Sequence, residues 1–382
     1  MKHRLLDLLQ CNCGCDGLRL VSAVTREISF KHELDHVKCQ KFCAFRQIAV
    51  RGGAIKPHDC VSCYGREIVE GKLTCECGKE YPIIAGIRRF LPAELASNFE
   101  SIQKTFSYEW KMFRFGERNW GQDMDWRKNL FLQGMGATPE GLKGGVILDA
   151  GCGSGLLSME MAKSFGMEVI ALDLAFGIEK AYEHVDSPFV HFVQGSVLQL
   201  PLKRHAFDYV YCAGVLVALP DTREGFLSII GPLKKGGRCF IWVYHPIDKK
   251  YHPGDYTKMV TYNWIRRNVT SRLPIGMQYS CYLATMPVFL LKQKMELLTG
   301  KKKDTATWRE KMQALFDMFS PIYQNRHTPE EVIGWFQKQG FSNIHVSDVG
   351  NYGFGVRGDQ GVGDMKVGGE SASLLHRQRE AS

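Results

Sequence analysis

Residues 146–155 read Val-Ile-Leu-Asp-Ala-Gly-Cys-Gly-Ser-Gly, an apolar run that closes on Asp149 and opens into three alternating glycines. Gly151, Gly153 and Gly155 have no side chains, so a ligand can approach the backbone closely. The spacing is G-x-G-x-G, whereas a dinucleotide pyrophosphate site wants G-x-G-x-x-G. A carboxylate at the end of the run suits the cationic end of a ligand better than a pyrophosphate. The next apolar run starts at Glu168 and ends in Asp173, 24 residues beyond Asp149. A carboxylate there can accept both hydrogen bonds of a ribose diol.

A second set of chemistry-bearing residues lies near the start of the chain. Nine of the 13 cysteines fall within the first 77 residues, and clustered close-spaced thiols without a secretion signal point to metal rather than disulfides. Cys11-Asn12-Cys13-Gly14 and Cys75-Glu76-Cys77-Gly78 form one repeat, in which glycine lets the chain turn so that amides can point at thiolates. Cys39 and Cys43 with Cys60 and Cys63 form another set of four, again two close pairs of the kind that holds Zn²⁺. The second set lies between the halves of the first, so the expected layout is one zinc knuckle inserted into another, with one or two ions. Cys15 is a spare that could replace Cys13, and His32, His36 and His58 are alternative ligands or plain surface histidines. In so small a segment the metal mainly supplies folding free energy.

Strands and helices must position these groups. After the runs at 146–150 and 168–173 come Phe189–Val193, Phe207–Cys212 and Arg238–Tyr244, with helical patterns between them. That alternation predicts a parallel α/β sheet with ligands at the carboxyl ends of its strands. An aromatic-rich stretch (Phe106, Tyr108, Trp110, Phe113, Phe115, Trp120, Trp126, Phe131) precedes the glycine loop. Its rings can stack on a base or a planar acceptor, or simply pack on the sheet. Residues between Tyr244 and Ser320 are too many for a connection. Trp264, Tyr279, Tyr282 and Phe289 give that segment a helical apolar pattern, read as a lid over an acceptor pocket.

The motif order over roughly residues 100–357 resembles the class I S-adenosylmethionine-dependent methyltransferases, in particular the quinone-biosynthesis subfamily. The resemblance implies an α/β, Rossmann-like fold with a mainly parallel seven-stranded sheet. It implies Asp149, Ala150 and Gly151 near the methionyl ammonium, with Gly153 and Gly155 beneath the cofactor. Asp173 would hold the ribose, Leu174, Ser196 and Val197 would meet adenine, and Cys212 and Ala213 would line the floor near the sulfonium. Many relatives carry Asp at the position of Ser196 and Leu-His-His where this chain has Leu216-Val217-Ala218. Residues 5–11 and 67–87 resemble the small zinc-binding activator module of tRNA and protein methyltransferases, which usually spaces its cysteines C-x2-C. Residues 1–92 are thus read as a zinc-binding domain and 98–357 as the methyltransferase domain, with the lid at about 248–326. The Gly-, Ser- and charge-rich residues 358–382 are read as a disordered tail.

Methyl transfer from a sulfonium is an in-line displacement, in which the protein's main task is to orient the acceptor and exclude water. A base is needed only if the acceptor must lose a proton; Tyr244, His245 and His327 are the candidates. The leading expectation is a small-molecule acceptor, and the alternative is an rRNA or tRNA methyltransferase. The alternative, with the zinc domain recognising nucleic acid, rests on that module's resemblance to tRNA methyltransferase machinery and on charge: of the net +9, residues 1–92 carry +5 and residues 248–326 carry +8. Basic flanks of this kind can bind phosphates, or can be scattered solvated lysines. The 382 residues are 45% hydrophobic, 23% charged and 11% aromatic, enough to build a core and unlike disordered or fibrous chains. No run approaches the ~20 apolar residues of a membrane span, and the N-terminus lacks a signal peptide, so a cytoplasmic protein is expected.

Overall fold

A computed structural model describes residues 1–15, 17–29, 39, 42–50, 54–91, 97–112, 118, 122–300, 306–348 and 352–361. His32, His36, Phe113, Phe115, Trp120, Lys301–Lys303 and the tail from 362 onward lie outside them.

The N-terminal part contributes β1 (Arg19–Glu27), the short hairpin β2 (Phe42–Cys43) and β3 (Ile48–Ala49), helix α1 (Pro57–Tyr64), and strands β4 (Arg66–Thr74), β5 (Glu80–Ile84) and β6 (Ile87–Arg89). Helices α2 (Ser97–Met112), α3 (Met124–Met135) and α4 (Pro139–Leu142) lead to the alternating region. There β7 (Val146–Ala150), α5 (Leu156–Phe165), β8 (Glu168–Asp173), α6 (Gly177–Glu183), β9 (Val190–Gln194), β10 (Phe207–Ala213), α7 (Thr222–Ile230) and β11 (Leu233–Tyr244) follow in turn. Three helices fill the insertion, α8 (Tyr256–Asn268), α9 (Ile275–Leu298) and α10 (Trp308–Phe319), before α11 (Pro329–Lys338), β12 (Phe341–Asp348) and β13 (Gly353–Gln360). Strand β13 runs three residues past the boundary expected at 357.

The sheet corrects the seven-stranded expectation. It has 11 strands in the order β1-β4-β5-β6-β9-β8-β7-β10-β11-β13-β12. Seven of them, β9 to β12 along this order, are the strands of the alternating region. The other four extend the sheet from the N-terminal part. The join is the parallel pairing of β6 with β9, Arg88 opposite Val193 and Arg89 opposite Gln194. From β6 to β11 the sheet is parallel, and both edges are antiparallel.

Every residue of β7 and β9 is buried, as expected for strands covered on both faces. Alternation divides their side chains between two cores. Leu148, Ile170 and Cys212 join one cluster, together with Leu5, Leu9, Ile68 and Tyr81 of the N-terminal part. Ile147, Val169 and Tyr211 join the other. The N-terminal part therefore shares a core with the alternating α/β region.

A buried ionic network closes that junction. Glu168, the first residue of β8, accepts from Arg4 Nη2 at 3.2 Å and from Tyr64 of α1 at 2.6 Å, and His191 Nε2 of β9 lies 3.0 Å away. Burial alone would raise the Glu168 carboxyl, but Arg4 and these partners hold it far below the ordinary carboxylate range. Removing one member of a buried pair leaves the other charge uncompensated, at a cost of about 3–5 kcal/mol. Glu168→Gln is expected to lower stability by about that amount in chemical denaturation; a loss of less than about 1 kcal/mol would show that the network does not hold the junction.

Candidate functional site

The carboxyl ends of β7, β8, β9, β10 and β11 open into a cavity of about 600 Å³, roofed by α2, α3, α8 and α10. It sits where β7 has β8 on one side and β10 on the other, the point of order reversal at which open α/β sheets bind ligands.

The loop after β7 is pinned to the end of β8. Gly151 and Cys152 donate to the Leu172 carbonyl at 2.7 and 3.0 Å. Asp173 accepts from the amide of Gly153 at 2.8 Å through Oδ2 and from Ala175 at 2.7 Å through Oδ1. Its backbone conformation explains the glycines: Gly151 and Gly153 have φ of +85° and +55°. A Cβ on Gly151 would meet Val215, and one on Gly153 would meet the indole of Trp110 from α2. Gln103 of α2 donates to the Leu174 carbonyl at 3.0 Å, which ties the same helix to the turn after β8.

Of the expected cofactor residues, Asp149, Gly151, Gly153, Asp173, Leu174, Ser196, Val197 and Ala213 line the cavity. Ala150, Gly155 and Cys212 are not among its lining residues. Cys212 points into the core cluster on the opposite face of the sheet, and its neighbours Tyr211 and Ala213 reach the cavity instead. Gly155 serves packing, since a Cβ there would press on Ala181 and Phe192. The Ser196 hydroxyl accepts from its own Leu198 amide at 3.2 Å. Cys152, between two glycines of the loop, also lines the cavity.

The three candidate bases separate. Tyr244 lines the cavity, and burial drives its phenol well above the ordinary tyrosine value, so at neutral pH it is a hydrogen-bond donor and not a base. His245 is buried outside the lining, stacked on Tyr251 with ring centres 4.3 Å apart. His327 sits beside Glu331 at 3.0 Å and packs edge-on to Trp335, also outside the lining. Sequence reading missed two acids that do line it, Glu109 of α2 and Asp317 of α10.

Cys11, Cys13, Cys75 and Cys77 converge, with all four sulfur atoms within 4.8 Å of one another. Cys11 and Cys77 are 3.7 Å apart and Cys13 and Cys75 3.6 Å. Zn–S bonds of about 2.3 Å in a tetrahedron put sulfurs about 3.8 Å apart, so the set fits that ion. Tyr81 Oη lies 3.0 Å from Cys11, and the Cys15 amide donates to Cys13 at 3.4 Å, leaving Cys15 outside the set. Cys39, Cys43, Cys60 and Cys63 are all buried, yet among the described residues they form no group within such mutual reach. Cys39 instead donates to Asp7 at 3.0 Å. His58 lies 3.7 Å from Asp59 and is likewise outside any such group.

Residues 147–237 match a family model described as a methyltransferase domain, and the chain carries such a domain there. Phosphoethanolamine N-methyltransferase 2 of Caenorhabditis elegans is 30% identical over 106 residues, 26% of this chain and 24% of that protein. Ubiquinone biosynthesis O-methyltransferase of Rickettsia felis is 28% identical over 125 residues, 32% of this chain and 50% of that protein. Demethylmenaquinone methyltransferase of Desulfitobacterium hafniense is 30% identical over 152 residues, 38% of this chain and 56% of that protein. The chain thus spans a quarter to about half the length of these relatives. Among the described residues no helix is long and apolar enough to cross a membrane.

Burial raises the Asp149 carboxyl to about 7, opposed by a 2.5 Å bond from Ser158 and reinforced by the Asp173 charge. If Asp149 faces a cationic ligand, it must lose its proton on binding. Affinity for S-adenosylhomocysteine is then expected to be flat just above pH 7 and to fall up to tenfold per unit below it, with proton release in calorimetry. Affinity independent of pH between 5.5 and 7 would contradict that role.

Proposed function

We propose that the chain is an S-adenosylmethionine-dependent methyltransferase acting on a small-molecule acceptor. The observation that carries the reading is one continuous cavity. At one end are Asp149, the glycine loop and Asp173, and at the other are side chains of three insertion and cover helices, α2, α8 and α10. Asp173 has a free lone pair on each oxygen beyond its backbone bonds, enough to accept a ribose diol. Trp110 against Gly153 limits the depth of the bed. The acceptor is held behind the methyl carbon, the C–S bond breaks toward sulfur as the new bond forms, and the helices exclude water.

Relatives that methylate quinone precursors and an amine both support a small acceptor. The RNA alternative has no observation of the fold or site behind it. With labelled methyl donor and extract of the source cells, label is expected in the small-molecule filtrate, and Asp173→Ala should remove it. Label confined to RNA would overturn the reading.

The Cys11, Cys13, Cys75 and Cys77 set is proposed to hold one zinc ion with a structural role, remote from the cavity lining. Metal analysis should find one equivalent per chain, lost in Cys77→Ser together with part of the thermal stability. Two equivalents would show that the Cys39, Cys43, Cys60 and Cys63 set also closes on metal.

A further inference from the structure

We propose that Glu109 of α2 and Asp317 of α10 form an acceptor subsite that binds a protonated amine. The inference rests on the methyltransferase reading and names the acceptor's chemistry. Both residues line the cavity. They come from the two helices that meet above it, and their carboxyls are close enough to perturb each other. Glu109 is 1% exposed, and neither of its carboxylate oxygens has a hydrogen-bond partner. Asp317 is half-buried and makes no hydrogen bond or ion pair among the described residues.

A buried carboxyl without a partner loses free energy, by roughly 1–3 kcal/mol and more if charged. The Glu109 carboxyl is therefore stable only as a protonated acid or beside a cation, and the half-buried Asp317 on the same cavity adds a second negative group to that demand. Burial, strengthened by the neighbouring acid, raises Glu109 well above the carboxylate range, and burial raises Asp317 to about 6. The pair is thus poised to exchange a proton for a cation.

The other groups near the pair do not supply that cation. The amide Nε2 of Gln313 is buried beside Glu109 and opposes the rise of its carboxyl as a neutral donor, but it carries no charge. Arg326 lines the same cavity but is turned away: its Nη1 donates to the His245 carbonyl at 3.0 Å and its Nη2 to Gln324 at 3.2 Å. Its guanidinium lies over the Tyr244 ring at 5.4 Å, and Tyr244, not either acid, is the group that acts on its charge. Asp173 adds a third negative charge near Glu109. A divalent ion would need further oxygen or nitrogen ligands. No third carboxylate or imidazole among the described residues joins Glu109 and Asp317 within a shared ligand radius. An ammonium, with three N–H donors, satisfies two carboxylates without more.

The test uses the full chain saturated with S-adenosylhomocysteine, so that the cofactor's own ammonium site is filled. Thermal shift is read with 2-phenylethylamine, with its neutral isostere 2-phenylethanol, and with Mg²⁺. The amine alone is expected to stabilise the complex. Asp317→Asn and Glu109→Gln are each expected to weaken it roughly tenfold or more, the scale of a lost charge-assisted bond. The shift caused by S-adenosylhomocysteine should survive in both variants, which shows that they fold. If the amine and the alcohol act alike, if neither shifts the complex, if Mg²⁺ replaces the amine, or if the variants lose the nucleoside instead, the subsite is overturned. Absence of any nucleoside shift in the wild type would instead remove the methyltransferase reading.

Discussion

Asp173 is the constraint on which the site depends. Its carboxylate receives one amide from the glycine loop and one from the turn that follows it. Without that acceptor, a loop with successive left-handed residues would bury unsatisfied donors. With it, the loop has one position, the backbone of Gly151 to Gly153 is exposed to the cavity, and Trp110 can settle against it. The same side chain is thus the clamp of the bed and, in the proposed function, the group that holds the ribose.

Strand β8 links this clamp to the rest of the molecule. It starts at Glu168, gripped by Arg4, Tyr64 and His191, and ends five residues later at Asp173. A strand of that length spans about 17 Å at roughly 3.3 Å per residue. The N-terminal part therefore braces the strand that carries the clamp, through a shared sheet and a shared core. Two members of its cysteine set, Cys11 and Cys75, lie with Tyr81 in that core.

Much of the site was legible because a parallel α/β sheet writes its strands as continuous apolar runs that end in the functional acids. Asp149 and Asp173 are legible in that way. A resemblance carries positions but not facing: the two-residue period puts Tyr211 and Ala213 on the cavity side and Cys212 behind it. The sheet extension was hidden because β6 is only three residues long and its pairing with β9 leaves no pattern. Glu109 and Asp317 are separated by about two hundred residues, on helices whose polar positions look like ordinary solvent faces. Only the packing of α2 on α10 turns them toward one cavity. The four cysteines at 39–63 share the pair spacing of a ligand set, and one of them, Cys39, donates to Asp7.

The most direct measurement is a calorimetric titration of the intact protein with S-adenosylmethionine and, separately, with NADH. One equivalent of the sulfonium nucleoside should bind to the wild type, with no heat from the nicotinamide. Binding of NADH in its place, or no binding of either by the folded protein, would contradict the cofactor bed built around Asp173.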